Sequence, residues 1–150
     1  MTRSGFAAVL RVAVESDLTI ARQLLVAAGL PTADLRLDHL ALIAEKEGVV
    51  AGLIGLEQFK NAGLLRSLVI AEKFRSAGLG GRLVAALEQL ALEKNISELW
   101  LLTIDADKWF ASLGYLTQSR DSAPPAIRST EEFSSLCPGD AVLMKKSLNR

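Results

Sequence analysis

Apolar and polar positions switch between a helical and an alternating period along this chain, and the switches mark its elements. Residues 6–12 are apolar and predict a first strand. Ser16-Asp17 then offers a helix cap. Leu18, Ala21, Leu24, Leu25 and Ala28 recur at three- and four-residue spacing, which predicts a helix over 18–28. Gly29 followed by Pro31 ends it. Thr32 to Asp38 is a polar connection with scattered leucines and room for a short second helix. Leu40 to Glu45 and Val49 to Phe59 read as strands joined by the hairpin signal Lys46-Glu47-Gly48. Asn61-Ala62-Gly63 marks a further turn, and Leu64 to Ile70 a third strand. Leu83, Leu87, Leu90 and Ala91 share one face of a helix over 79–94. Glu98 to Ile104 is nearly continuously apolar, which suits a strand covered on both faces. Asp105 to Leu113 reads as a short helix ended by Gly114, and Ala141 to Lys146 as a last strand.

The strand at 64–70, the helix at 79–94 and the strand at 98–104 form a βαβ unit, which implies parallel strands and a right-handed crossover. The expected fold class is therefore α/β, with a mixed sheet. The 150 residues fit one domain, 1–150, and show no repeat, low-complexity tract or linker. The polar, proline-bearing stretch Ser119 to Thr130 reads as a loop inside it. Half the residues are hydrophobic, enough for a core, and 23% are charged, which argues against disorder. Seventeen basic residues balance seventeen acidic ones, so no nucleic-acid partner is indicated. One cysteine excludes an internal disulfide, and one cysteine with one histidine cannot build a structural zinc site, so no metal is expected. No apolar run is long enough to span a bilayer and no signal peptide is visible, which leaves a cytoplasmic location by default.

Candidate chemistry gathers in the loop Arg75-Ser76-Ala77-Gly78-Leu79-Gly80-Gly81, between a strand and a helix. A helix start presents unpaired N–H groups and the positive end of the helix dipole, and glycines let the backbone approach a bound group closely. Together these make a diphosphate cradle. Gly80-Gly81-Arg82 lacks the Gly-Lys-Ser/Thr ending of a Walker loop, and Gly78-Leu79-Gly80-Gly81-Arg82-Leu83 lacks the third glycine of a dinucleotide fingerprint. A tight turn with no ligand is the alternative.

The pattern Arg-x-x-Gly-x-Gly, after an apolar strand and before an amphipathic helix, resembles the acetyl-CoA-binding motif of the GNAT family of N-acetyltransferases. Trp109-Phe110-Ala111-Ser112-Leu113-Gly114-Tyr115 is similar to that family's FYxxLGF helix end. The element order matches the family fold over nearly the whole chain: a mostly antiparallel central sheet flanked by helices, with a βαβ acetyl-CoA-binding unit. The resemblance implies acetyl-CoA as cosubstrate. Its pyrophosphate would rest on the N–H groups from Ser76 to Gly81, and its pantetheine arm in the gap where the strand 64–70 splays from 98–104, bonded to the backbone of Leu68, Val69 and Ile70. A backbone N–H near Leu68 or Val69 would polarise the thioester carbonyl. The amine of a small-molecule acceptor would attack directly, without an acyl-enzyme. Phe110 stands where the family often has a tyrosine that protonates the leaving thiolate, and Tyr115 matches the core aromatic after the glycine.

Arg66 lies in an otherwise apolar strand, close to the presumed reaction centre. A guanidinium there is costly unless paired. Two readings stand: it holds a substrate carboxylate by two parallel hydrogen bonds, or it faces solvent or pairs with a structural acid such as Glu57. Glu57 is a candidate base, an orienting partner for Arg66, or a solvated strand residue. His39, the sole histidine, sits at a strand start, where a structural role is the commoner one. The segment 125–138 resembles the C-terminal part of the arsenic-resistance N-acetyltransferases. Leu64-Leu65-Arg66-Ser67-Leu68 and Leu101-Leu102-Thr103 resemble that group and short N-acetylglutamate synthases. The resemblance implies an acidic amino acid or an arsenic- or phosphorus-containing analogue as acceptor. Arg66, Ser67 and Arg128 would contact substrate, with Ser129 and Cys137 near the pocket wall. A capping loop and helix over the sheet is the alternative for 124–138, and a small half-buried apolar residue the alternative for Cys137. Other acceptors, among them a polyamine, an antibiotic or a peptide, remain open, as does an acetyl-CoA sensor without turnover. A homodimer is expected only because it is the commonest soluble assembly.

Overall fold

The computed structural model describes residues 8–30, 32–75, 78–130, 133 and 141–149. Its elements run β1 (Val9–Val12), α1 (Leu18–Ala27), β2 (Leu40–Lys46), β3 (Val49–Phe59), β4 (Ala62–Ile70), α2 (Leu79–Glu93), β5 (Glu98–Thr103), α3 (Asp107–Ser112), β6 (Leu116–Gln118), α4 (Pro125–Arg128) and β7 (Val142–Ser147). The strands form a seven-stranded sheet in the order β1-β2-β3-β4-β5-β7-β6. The expected βαβ unit is present: β4 and β5 pair in parallel, with Ala62, Gly63 and Leu64 opposite Glu98, Leu99 and Trp100. The pairings of β1 with β2, β2 with β3, β5 with β7 and β6 with β7 are antiparallel. The mixed, mostly antiparallel sheet follows.

Turn chemistry sets most boundaries. Glu47 and Gly48 have φ of 54° and 79°, so the hairpin between β2 and β3 is a two-residue loop with both central residues left-handed. Three helices end on a left-handed residue that closes the last carbonyls: Gly29, Asn95 and Gly114. After α1, Leu30 N–H reaches Leu25 O at 2.9 Å and Gly29 N–H reaches Val26 O at 3.0 Å. The same pair of bonds closes α2 through Ile96 and Asn95, and α3 through Tyr115 and Gly114.

Some expectations shift. The turn before β4 falls at Lys60, with φ 57°, so β4 begins at Ala62 and not at Leu64. Residues 32–38 hold no α-helix among those described; a 3-10 turn, Leu37–His39, leads into β2. Asp17 makes no side-chain cap to α1. Its buried carboxylate instead accepts the Val14 N–H at 2.8 Å and both terminal nitrogens of Arg11 at 2.8 and 2.9 Å. Strand β6 has no counterpart in the expected order, and helix α4 falls in the stretch read as a loop or, in the alternative, as a capping loop and helix.

The chain divides into two compact units, each discontinuous in sequence. The first is Met1–Leu56 with Ser67–Leu87, so β3 and β4 each pass from one unit to the other. Its core joins Ala21 and Leu25 of α1 to Ile43, Leu53 and Val69 from three strands. The second is Glu57–Arg66 with Glu88–Arg150. Its core gathers Ala62, Leu64, Trp100 and Leu143 with Ala123 and with Ile127 of α4. Residues 123–127 thus do cover the sheet, as the capping alternative proposed.

Candidate active site

In the first unit the candidate groups are mainly backbone. Gly78, exposed, has φ +76°, a conformation a side chain resists, and it leads directly into α2. Its carbonyl accepts the Arg82 N–H at 3.2 Å, the first turn of the helix. That first turn contains no acidic residue. Leu79 is buried and anchors the start, while Gly80 is half-buried. Gly81 faces open space, with nothing within 4 Å of an added Cβ. Arg75 donates from Nε to the carbonyl of Ile70 at 3.0 Å, which fastens the loop to the end of β4. Ser76 and Ala77 lie outside the described residues. The cradle chemistry of N–H groups, a glycine and a cation fits a diphosphate.

The C-terminal half of β4 departs from regular strand geometry. Ser67 has φ +60° in mid-strand, a left-handed residue where pleated backbone is expected. Such a residue interrupts the regular pleat, and backbone held in this way is found often at functional sites. Beyond it Leu68 and Ile70 are half-buried and Val69 is buried. Gly52 of β3 lies against this stretch: a Cβ there would stand 2.7 Å from Ile70 Cδ1 and 3.0 Å from the Val69 carbonyl oxygen. Only glycine allows this approach. Gly52 was missed in the sequence, although a glycine inside an apolar strand is a signal for close backbone approach.

In the second unit the candidate groups are side chains. Arg66 is 2% exposed, so the solvent-facing reading is corrected: an apolar strand has buried its guanidinium. Its terminal nitrogen donates to Glu57 Oε1 at 2.8 Å, and the Glu57 side chain is 15% exposed. Burial makes such a pair stringent, because removing either partner takes compensation away from a charge held out of water. Phe110 is buried, edge-to-face with Trp109 at 4.9 Å and Tyr115 at 5.6 Å. Tyr115 is fully buried and donates its hydroxyl to Glu88 at 3.0 Å. Burial, then the Glu88 charge, pushes its pKa well above the ordinary phenol value, so it stays a protonated donor. Arg128 and Ser129 are exposed around the end of α4, where the Ser129 hydroxyl donates to the Pro125 carbonyl at 3.0 Å. Cys137 lies outside the described residues. In the first unit His39 Nδ1 is 2.8 Å from the Asp34 carbonyl oxygen, a structural contact beside β2.

The model of the acetyltransferase (GNAT) family matches residues 9–115. The chain belongs to this family. Membership puts it among the acyltransferases, and the glycine loop, β4 and the α3 end all fall inside the matched span. Among solved structures, N-acetylglutamate synthase from Neisseria gonorrhoeae, complexed with coenzyme A and N-acetyl-glutamate, has a TM-score of 0.83 at 23% identity. The match covers 95% of this chain and 35% of that one, so this GNAT chain spans about a third of the synthase's length. Rv2747 from Mycobacterium tuberculosis, in complex with CoA, has a TM-score of 0.78 at 20% identity, over 94% of this chain and 99% of that one. Ard1 from Thermoplasma volcanium follows at 0.73 and 15%, over 96% and 99%. At these identities the likeness speaks for the fold. No curated protein sequence matches. No helix among the described residues is long and apolar enough to cross a membrane.

Proposed function

We propose that residues 1–150 work as one cytoplasmic N-acetyltransferase domain that acetylates the α-amino group of a small acidic amino acid or an arsenic- or phosphorus-containing analogue of one, as a homodimer. The observation that carries this reading is the start of α2. Gly78 at φ +76° opens a helix with no acid in its first turn, and Arg75 is fastened beside it. In a chain of this family, that start is where the diphosphate of acetyl-CoA would rest, over Ser76 to Gly81.

Acetyl-CoA supplies the acetyl group as a thioester. The backbone of Leu68, Val69 and Ile70 would hold its pantetheine arm, and a backbone N–H at Leu68 would receive the developing negative charge on the carbonyl oxygen. Glu57 would take the amine proton directly or through water. The acceptor nitrogen bonds to the carbonyl carbon, the C–S bond breaks, and water protonates the thiolate. Arg66, with Ser67 and Arg128, would hold the acceptor's acid group; Ser129 and Cys137 would line its pocket. Arg66 is buried against Glu57, so substrate would have to share that guanidinium with the carboxylate it already holds.

A sensor that binds acetyl-CoA without turnover is the second reading. Phe110 in the tyrosine position, and the burial of Tyr115 against Glu88, favour it.

CoA release from acetyl-CoA against glutamate, aspartate, phosphorus- and arsenic-containing analogues, a polyamine and a peptide separates the readings. Turnover confined to the acidic amino acids, and reduced about a hundredfold in Arg66→Lys, is the expected result. Turnover only with polyamine or peptide would remove the acidic acceptor and keep the transferase. Acetyl-CoA binding with no turnover on any amine would favour the sensor.

A further inference from the structure

The first unit carries an apolar groove of about 460 Å³ that the chemistry above leaves unused. Ile20 and Leu24 of α1 line it together with Val49 and Val50 at the start of β3. The 3-10 turn Glu72–Phe74, with Ala71 before it, completes the lining. The Ala71 N–H is bonded to the Ala51 carbonyl at 2.8 Å, which holds this turn beside the start of β3. Leu24 and Val50 pack against the core of the unit, so the groove is floored by the core itself. Val49 is 46% exposed, and Ile20, Leu24, Val50 and Phe74 are only half-buried. Aliphatic surface left in contact with water favours an apolar occupant.

Two cations gather at Phe74. Lys73 Nζ lies 5.3 Å from the ring centre and Lys46 Nζ 6.0 Å. The β2–β3 register sets Lys46 opposite Val49. A lysine over a partly exposed ring gains little, and two like charges drawn to one ring repel each other. Among the described residues neither ammonium has a carboxylate partner. Glu72, exposed in the same lining, sets one negative charge against the two positive ones. One net positive charge remains for the occupant's head. That balance matches a carboxylate and not a doubly charged phosphate monoester. The volume is on the scale of small-molecule pockets, about 300–1,000 Å³, and not of a flat protein interface.

We infer that this groove binds a free aliphatic carboxylate. Its chain lies on Ile20, Leu24, Val49 and Val50, and its head sits by Lys46 and Lys73 at Phe74. Such binding holds or fails whether or not the chain takes acetyl-CoA.

The test is calorimetry of the full chain with hexanoate, octanoate and decanoate, each kept below its micelle concentration. Decanoate should bind at a single site, and each added methylene should tighten binding about threefold. Lys46→Ala and Lys73→Ala should each weaken decanoate about fivefold, and Glu72→Gln should tighten it about twofold. Val49→Asp sets a charge in the groove at an exposed position and should weaken decanoate about tenfold. Lys145→Ala removes a lysine 5.4 Å from the Trp100 ring in the second unit and should match the wild type. Urea unfolding identifies the folded variants. Decyltrimethylammonium should bind about tenfold more weakly than decanoate. Should a variant fail to fold, the chain-length series and this cation decide on the wild type. Absence of decanoate binding, or binding unchanged in the folded groove variants, would overturn the site. Equal binding of decyltrimethylammonium, or much tighter binding of decyl phosphate, would overturn the carboxylate head. Sedimentation with anionic lipid vesicles without binding of free decanoate would assign the groove to a membrane surface and overturn the inference as well.

Discussion

Helices α1 and α2 both begin in the first unit with unpaired N–H groups, yet what the chain sets before them differs in charge. The approach to α1 is crowded with acid. Glu15 and Asp17 precede it, and the Asp17 carboxylate ties Val14 N–H and Arg11 together, with Glu45 adding a second contact to Arg11 at 3.0 Å. The approach to α2 has a left-handed glycine, an arginine fastened to β4 and no acid in the first turn. Neither helix has an acid in its first turn, but Asp17 stands directly before α1, inside the chain. Directly before α2 stands Gly78, and on the reading proposed above an anion from outside would take the place that Asp17 has at α1.

The sharpest way to break this contrast is to give α2 an acid. Gly81→Asp meets nothing within 4 Å and should fold normally. Its carboxylate would occupy the charge site of the helix start and cut CoA affinity about a hundredfold, read by calorimetry. Unchanged affinity would end the view of this loop as a diphosphate cradle.

The converse change removes the acid from α1. Asp17→Asn should lower stability by about 2–3 kcal/mol in urea unfolding, since it leaves Arg11 with less compensation, but should leave CoA affinity of the folded protein alone. The pH dependence follows from the same bonds. Arg11's hydrogen bonds hold the Asp17 pKa below the ordinary carboxylate value despite its burial. The stabilisation is therefore fully present above the unfolded value of about 3.9, and is lost as pH falls below it through the folded value. Asp17→Asn should flatten that acid limb.

A smaller effect tests the backbone beside α2. Gly52→Ala would press a methyl against Ile70 and the Val69 carbonyl, costing about 1–3 kcal/mol of stability. It should also raise KM for acetyl-CoA, because the displaced atoms belong to the stretch of β4 proposed to hold pantetheine. Smallest is Ser67→Gly, which relieves a left-handed non-glycine residue and should stabilise the fold by about 0.5–1 kcal/mol in the same urea assay. Destabilisation would mean that the serine side chain itself is needed there.

Local rules made most of the fold legible. Glu47-Gly48, Gly29 and Gly114 announced their turns because left-handed backbone has few candidates, and Leu83 and Leu87 announced a buried helix face. Elements too short for a period were hard to place: β6, three residues, escaped, and α4, four residues, stood only as an alternative to a loop. Around the candidate site, backbone geometry was legible where a glycine opens a helix, as at Gly78. The site was half-legible at Arg66, whose apolar neighbours signalled that the guanidinium must be paired; Glu57 stood as one candidate partner, beside substrate and solvent. The rest was opaque where distant residues meet, as with Lys46 and Phe74, and where an ordinary residue adopts an unusual conformation, as at Ser67.

That conformation at Ser67 makes the far half of β4 depend on counting. In a pleated strand each residue added or lost turns every later side chain to the opposite face. A chain lacking one residue there could regain a regular ladder and still present Leu68, Val69 and Ile70 the wrong way round. Within an aligned family, length changes between Arg66 and Ile70 should therefore be rare, so indels in this short window would mark chains that keep the fold but have left the chemistry behind.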